Sequence, residues 1–139
     1  MKTLEGEELK KVLDVDKYAE SRQDYMARME SEGFKIYLPS PNEVLIDIDN
    51  EDDYEYFLIA INRFEEEFES RIPFKIIPSK SGLPHQHIIC EFPFEMENLQ
   101  RVAFQAVLGS DRVREMLSLF RIIQGDTYPS LLAIKPEDI

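Results

Sequence analysis

Cysteine is almost missing from this chain: Cys90 stands alone, so no internal disulfide holds the fold and no zinc site can be built on thiolates. In the run Ile88-Ile89-Cys90-Glu91-Phe92 it reads as a small apolar filler of a strand. Histidine is nearly as scarce, with 2 in all, His85 and His87. No apolar run reaches the roughly 18 residues that a membrane span needs, and the start MKTLEGEELKK carries charge but no apolar stretch. Neither a span nor a signal peptide is expected, and a cytoplasmic protein is. Basic charge is short too: 16 Lys and Arg against 28 Asp and Glu leave a net charge of -12, which argues against a broad phosphate-binding surface for nucleic acid. The shortage is uneven, because the basic residues Arg71, Lys75, Lys80, Arg101, Arg112, Arg114 and Arg121 outnumber the acids between positions 71 and 123. The acidity belongs mainly to the N-terminal half. Internal repeats and low-complexity segments are absent.

What remains is an ordinary globular composition, 43% hydrophobic over 139 residues, suited to one domain with one core. Residues 7–32 read as one or two helices with an interrupted apolar stripe, stopped by Gly33. Residues 34–38 alternate as a strand, Pro39-Ser40-Pro41-Asn42 turns the chain, and residues 43–49 return as the expected hairpin partner. After an Asn50 cap, Tyr54, Phe57, Leu58, Ile61 and Phe64 follow helical spacing and are expected in the core, with the glutamates between them facing solvent. Residues 73–78 form a short strand bounded by prolines, 79–84 a loop and 85–92 the next strand. A helix over 96–107 presents Leu99, Val102, Ala103, Ala106 and Val107. Ser110 then caps a second one carrying Val113, Met116, Leu117, Phe120 and Ile123. Residues 130–135 form the last strand.

From the second strand onward the order is strand, helix, strand, strand, helix, strand. The expected fold is therefore α+β: a ferredoxin-like or RRM-like split βαββαβ antiparallel sheet with an N-terminal helix and an extra hairpin strand. Residues 1–33 form a helical extension and 34–139 a single RRM-like domain. Right-handed crossovers in this topology set the first of the six elements beside the third and fourth strands, gathering the end of 43–49, the 79–87 loop and Gly125-Asp126 at one sheet edge.

That edge carries the chemistry. In Val44-Leu45-Ile46-Asp47-Ile48-Asp49-Asn50 alternation puts Asp47 and Asp49 on one face, about 7 Å apart, where neighbouring carboxylates repel unless a cation joins them. A divalent ion with oxygen ligands answers that repulsion. The competing reading makes Asp49-Asn50-Glu51-Asp52-Asp53 an acidic helix start that the helix dipole welcomes. His85 and His87 point the same way, and the loop before them offers Lys80, two serine hydroxyls and the N–H groups of Ser81 and Gly82 to a phosphate. Together they describe a nucleotide site with carboxylate-bound Mg²⁺ or Mn²⁺, although the mixed donors also leave a histidine-rich transition-metal site open.

At these residues the chain resembles the archaeo-eukaryotic primase, or primase-polymerase, superfamily. Leu45-Ile46-Asp47-Ile48-Asp49 looks like that family's acid-x-acid motif, and Ser81-Gly82-Leu83-Pro84-His85-Gln86-His87 looks like its Ser-x-His motif, here with wider spacing. The resemblance spans roughly residues 34–135 and implies an RRM-like catalytic core for metal-dependent nucleotidyl transfer in DNA replication or repair. It implies that Asp47, Asp49 and a third acid hold Mg²⁺ or Mn²⁺, and that Lys80, Ser81, Gly82 and a histidine, His85 or His87, contact the phosphates of a nucleoside triphosphate. Topology favours Asp126 as the third acid and leaves Asp111, on a helix start, as the alternative. Partners implied are nucleoside triphosphates and nucleic acid with replication proteins, with no membrane. Two other readings compete: a non-catalytic acidic adaptor or DNA mimic that binds another protein, which the charge of -12 favours, and a histidine-carboxylate iron or manganese enzyme.

Overall fold

Residues 3, 5, 7, 8, 20–79 and 81–138 are described by a computed structural model. Much of the expected N-terminal helix, residues 9–19, lies outside them, as does Lys80. The chain is mixed α+β, with four α-helices and two small antiparallel sheets among the described residues.

Helix α1, Arg22–Ser31, starts where Ser21 Oγ accepts the Asp24 N–H at 3.1 Å, one of the donors that a first turn leaves without a partner. Strands β1, Lys35–Tyr37, and β2, Glu43–Ile48, follow. Helix α2, Glu51–Phe68, is capped by Asn50, whose Oδ1 accepts the Asp53 N–H at 2.8 Å, with Glu51, Asp52 and Asp53 in its first turn. Strands β3, Phe74–Pro78, and β4, Gln86–Glu91, precede α3, Asn98–Val107, and α4, Arg112–Gln124. Strand β5, Leu132–Ile134, and one 3₁₀ turn, Pro136–Asp138, end the fold. None of the described helices is long and apolar enough to cross a membrane.

Strands β2, β4 and β3 form one sheet in that order. The first strand does not pair with β2 as a hairpin: β1 pairs antiparallel with β5, Lys35 opposite Ile134 and Tyr37 opposite Leu132. The two-stranded β1–β5 sheet packs on one face of the larger sheet, where Leu45, Ile77 and Ile89 meet Leu132, Ile134 and Tyr37. On the other face Val44, Ile46, Ile48, Ile88 and Cys90 pack against Phe57 and Ile61 of α2. Strand β2 is thus buried on both sides, which explains its nearly unbroken apolar run. Of the α2 residues expected in the core, Phe57 and Ile61 are buried, Tyr54 and Phe64 are half-buried, and Leu58 is exposed.

The outer edge of β2 explains why β5 lies elsewhere. A buried strand edge must find partners for its backbone groups, and here helices supply them. Arg101 Nε donates to the Glu43 carbonyl at 2.8 Å, and the Leu45 N–H donates to Gln105 Oε1 at 2.9 Å. Arg114 Nη1 donates to the Leu45 carbonyl at 2.9 Å, and the Asp47 N–H to Ser110 Oγ at 2.9 Å. Gln105 also bonds Ser130 Oγ at 3.1 Å, and Arg114 the Leu131 carbonyl at 3.4 Å, so both side chains stand between β2 and the approach to β5.

This edge turns α3 and α4 around. Sequence periodicity directed their apolar stripes inward, yet α3 buries Arg101, Val102 and Gln105, and α4 buries Glu115, Ser118 and Arg121. Leu99, Val107, Val113 and Met116 are left exposed. Ser110 is likewise no cap: Asp111 caps α4 through the Arg114 N–H at 3.3 Å, while Ser110 is buried in the edge network. Gly109, at φ 92°, makes the turn between the helices, and a Cβ there would meet the Tyr56 ring at 2.9 Å.

Candidate functional site

One cross-strand ladder leads from the core into the site. Leu45 lies opposite Ile89, and two residues further along the same face Asp47 lies opposite His87. Beyond the strand ends the ladder continues with Asp49 and His85, whose Oδ1 and Nδ1 are 3.1 Å apart. His87 Nε2 is 3.5 Å from Asp47 Oδ1. Both carboxylates and both histidines therefore share a face, the arrangement that alternation of side chains along paired strands requires.

They open onto a cavity of about 530 Å³. Its polar wall adds Ser79, Ser81 and Asp111 to the four ladder residues, and Val113, Leu117 and Leu131 provide apolar surface. Asp111 is tied to the acidic pair through the backbone, its N–H donating to the Asp47 carbonyl at 2.8 Å. Asp126, the acid that topology favoured, lines a separate pocket with Ser21, Gln23 and Thr127. The turn before β4 uses its own donors: the Gly82 N–H bonds the Ser79 carbonyl at 3.0 Å, and the Ser81 N–H bonds Ser79 Oγ at 3.3 Å. Ser79 and Ser81 line the cavity, while these two N–H groups and Ser79 Oγ serve the turn.

Burial pushes the Asp47 carboxyl up to about 6, with Asp49, Asp111 and Glu115 adding to the rise and the Arg114 guanidinium opposing it. Among the described residues no group of three or more His, Cys, Asp or Glu side chains is placed to hold a metal ion. The described residues therefore form no closed protein cage. Asp47 and Asp49 still suit a hard cation such as Mg²⁺, which commonly takes only one or two carboxylates and fills its remaining positions with water and phosphate oxygens.

The sequence reading missed part of the cavity lining. Arg22 and Tyr25 of α1 and Arg114 and Arg121 of α4 line the same cavity. The helical extension expected over residues 1–33 was given no site residue; α1, within it, adds Arg22 and Tyr25 to the cavity lining. The signal for α4 was present in the polar spacing Arg114, Ser118, Arg121, which marks a helix face as clearly as an apolar stripe does. Arg114 is committed to structure, bonding Glu115 Oε2 at 2.6 Å as well as β2. Glu115 is buried and fully engaged, accepting also from Gln105 at 2.7 Å and Ser110 at 2.6 Å.

No protein-family model, no curated protein and no solved structure matches the chain.

Proposed function

We propose that the cavity binds a nucleoside triphosphate with a divalent cation, as a minimal primase-polymerase-like core would for nucleotidyl transfer in the cytoplasm during DNA replication or repair. The observation that carries this reading is the pairing of Asp47 with His87 and Asp49 with His85 on one face, with Asp111, Ser79 and Ser81 lining the same cavity. The neighbour order β2–β4–β3, with α2 as the crossover, is compatible with three strands of an RRM-like palm. Asp47 and Asp49 would hold Mg²⁺ or Mn²⁺, and of the two candidates for a third acid Asp111, unlike Asp126, lines the same cavity. When bound, such an ion offsets phosphate charge and favours the deprotonated form of an attacking hydroxyl. Drawn off its carboxylate, a histidine at the cavity can donate to a phosphate oxygen, as can the hydroxyls of Ser79 and Ser81.

Calorimetry with Mn²⁺ and a nucleoside triphosphate tests this. The double variant Asp47→Asn/Asp49→Asn should lose metal-dependent nucleotide binding, and equal binding by both proteins would refute the reading. Single replacement of His85 and His87 then assigns the phosphate contact, because the relevant variant weakens nucleotide binding while Mn²⁺ binding persists.

A second reading, a non-catalytic acidic adaptor, draws on the exposed face of α3 and α4, where Leu99 and Met116 are 55% and 48% exposed. It expects the double variant to leave partner binding unchanged.

A further inference from the structure

Of the large apolar side chains among the described residues, Leu83 is the most exposed, at 79%. A lone leucine in water needs no explanation. This one shares a groove of about 640 Å³ with Leu58, itself exposed on α2, and with Pro84 and the half-buried Tyr54. Glu51 and Glu55 complete the α2 side, so that Glu51, Tyr54, Glu55 and Leu58 stand at i, i+3, i+4 and i+7 on one helix face. None of the ion pairs among the described residues involves Glu51 or Glu55, and no described Lys or Arg lines the groove. The positive end of α2 favours Glu51 in its first turn, but that field fades within the turn and accounts for neither Glu55 nor the two leucines.

We propose that this groove docks a short extended segment of a partner protein, one that carries an apolar side chain with a Lys or Arg two positions away. Leu58 and Leu83 enclose the apolar side chain and leave water with it, while Glu51 and Glu55 face the cation. The spacing fits. Glu55 and Glu51 precede Leu58 by roughly 4.5 and 10 Å along the helix axis, and an extended chain repeats its same-face side chains about every 7 Å. The acids repel nucleic acid and anionic lipid, and a second copy would bring another net charge of -12, so charge selects a basic segment of a different protein. The inference does not depend on the nucleotide reading. Pro84 and Gln86 both line the groove and His85 lies between them, so the docked segment sits beside the turn that leads into the Asp–His ladder.

The test titrates the full, isotope-labelled chain with the capped peptide Lys-Ser-Leu-Ser-Lys and follows amide shifts by NMR; the symmetric sequence offers a lysine to the acids in either chain direction. Saturable shifts should centre on Glu55, Leu58 and Leu83. Leu83→Ser should weaken binding about tenfold or more, as loss of a buried leucine contact implies, and because Leu83 is exposed the variant keeps its fold. Glu55→Lys should weaken binding as well, and raising the salt to about 1 M should reduce binding by wild type. Two control peptides separate the contributions: Lys-Ser-Ser-Ser-Lys, without the anchor, and Glu-Ser-Leu-Ser-Glu, with the charge reversed, should both bind at least tenfold more weakly. No saturable binding at millimolar peptide, equal binding by the folded Leu83→Ser variant, or equal binding of the peptide without leucine overturns the docking groove.

Discussion

Asp47 shows how one residue serves the fold and the site at opposite pH. Its carboxyl is raised from 3.8 to about 6, mainly by burial, so the folded chain holds a proton that the unfolded chain releases near pH 4. The group therefore favours folding at low pH, and that contribution is lost as pH rises through 6. Two pH units correspond to roughly 3 kcal/mol, an upper bound for a side chain that keeps some contact with water. Asp47→Asn should accordingly make the metal-free protein about 1–3 kcal/mol more stable at pH 7.5 and leave it nearly unchanged at pH 4. Urea unfolding at both pH values checks this, and a loss of stability at pH 7.5 would show that the charge is satisfied in the fold. By the same linkage Mn²⁺ binding, which needs the ionised form, should weaken as pH falls below 6. The shared face of Asp47, Asp49, His85 and His87 was legible because strand alternation is geometric. The Arg22 contribution was not, since nothing local in the sequence says that α1 returns to that edge.

At the scale of elements, the lesson lies in α3 and α4. Their apolar stripes are real in the sequence but do not decide which side is buried, because β2 presents a row of backbone groups that only polar side chains can satisfy. Two substitutions test the inversion. Leu99→Glu should change stability by less than about 0.5 kcal/mol, since an exposed leucine contributes little to the core. Glu115→Ala should cost about 3–5 kcal/mol, because it leaves the half-buried Arg114 without its counter-charge and removes acceptors from Gln105 and Ser110. The reverse ranking in denaturant unfolding would restore the orientation that periodicity suggested. Caps were easier to read than faces. Asn50 caps α2 as its position before an acidic first turn indicates, whereas Ser110 and Asp111 are adjacent and equally suited to cap, so only the pull of the β2 edge on Ser110 separates them.

For the molecule as a whole, β2 is the element that both packing layers share. Val44, Ile46 and Ile48 serve the helical core, and Leu45 serves the layer under β1 and β5. A strand buried on both faces cannot lose one layer without exposing its backbone on that side, so the two cores should unfold together. The α+β class was legible from the element sequence, but the division into two sheets was not. An element sequence carries no information on which strand edges side chains will close, and here Gln105 and Arg114 occupy the place where β5 would have met β2. Cooperativity can be probed from both sides. Phe57, buried and edge-on to Phe74 at 5.1 Å, anchors the helical core; Phe57→Ala should cost about 3–5 kcal/mol. Leu132→Ala removes a side chain of the second layer and should cost about 2–5 kcal/mol. In both variants the transitions followed by circular dichroism and by tyrosine fluorescence should coincide and shift together. If Leu132→Ala instead split the unfolding into two steps, the β1–β5 sheet would be a separable layer, and the wall of the cavity formed by Leu131, Leu132 and Ala133 could open without loss of the ladder that carries Asp47 and His87.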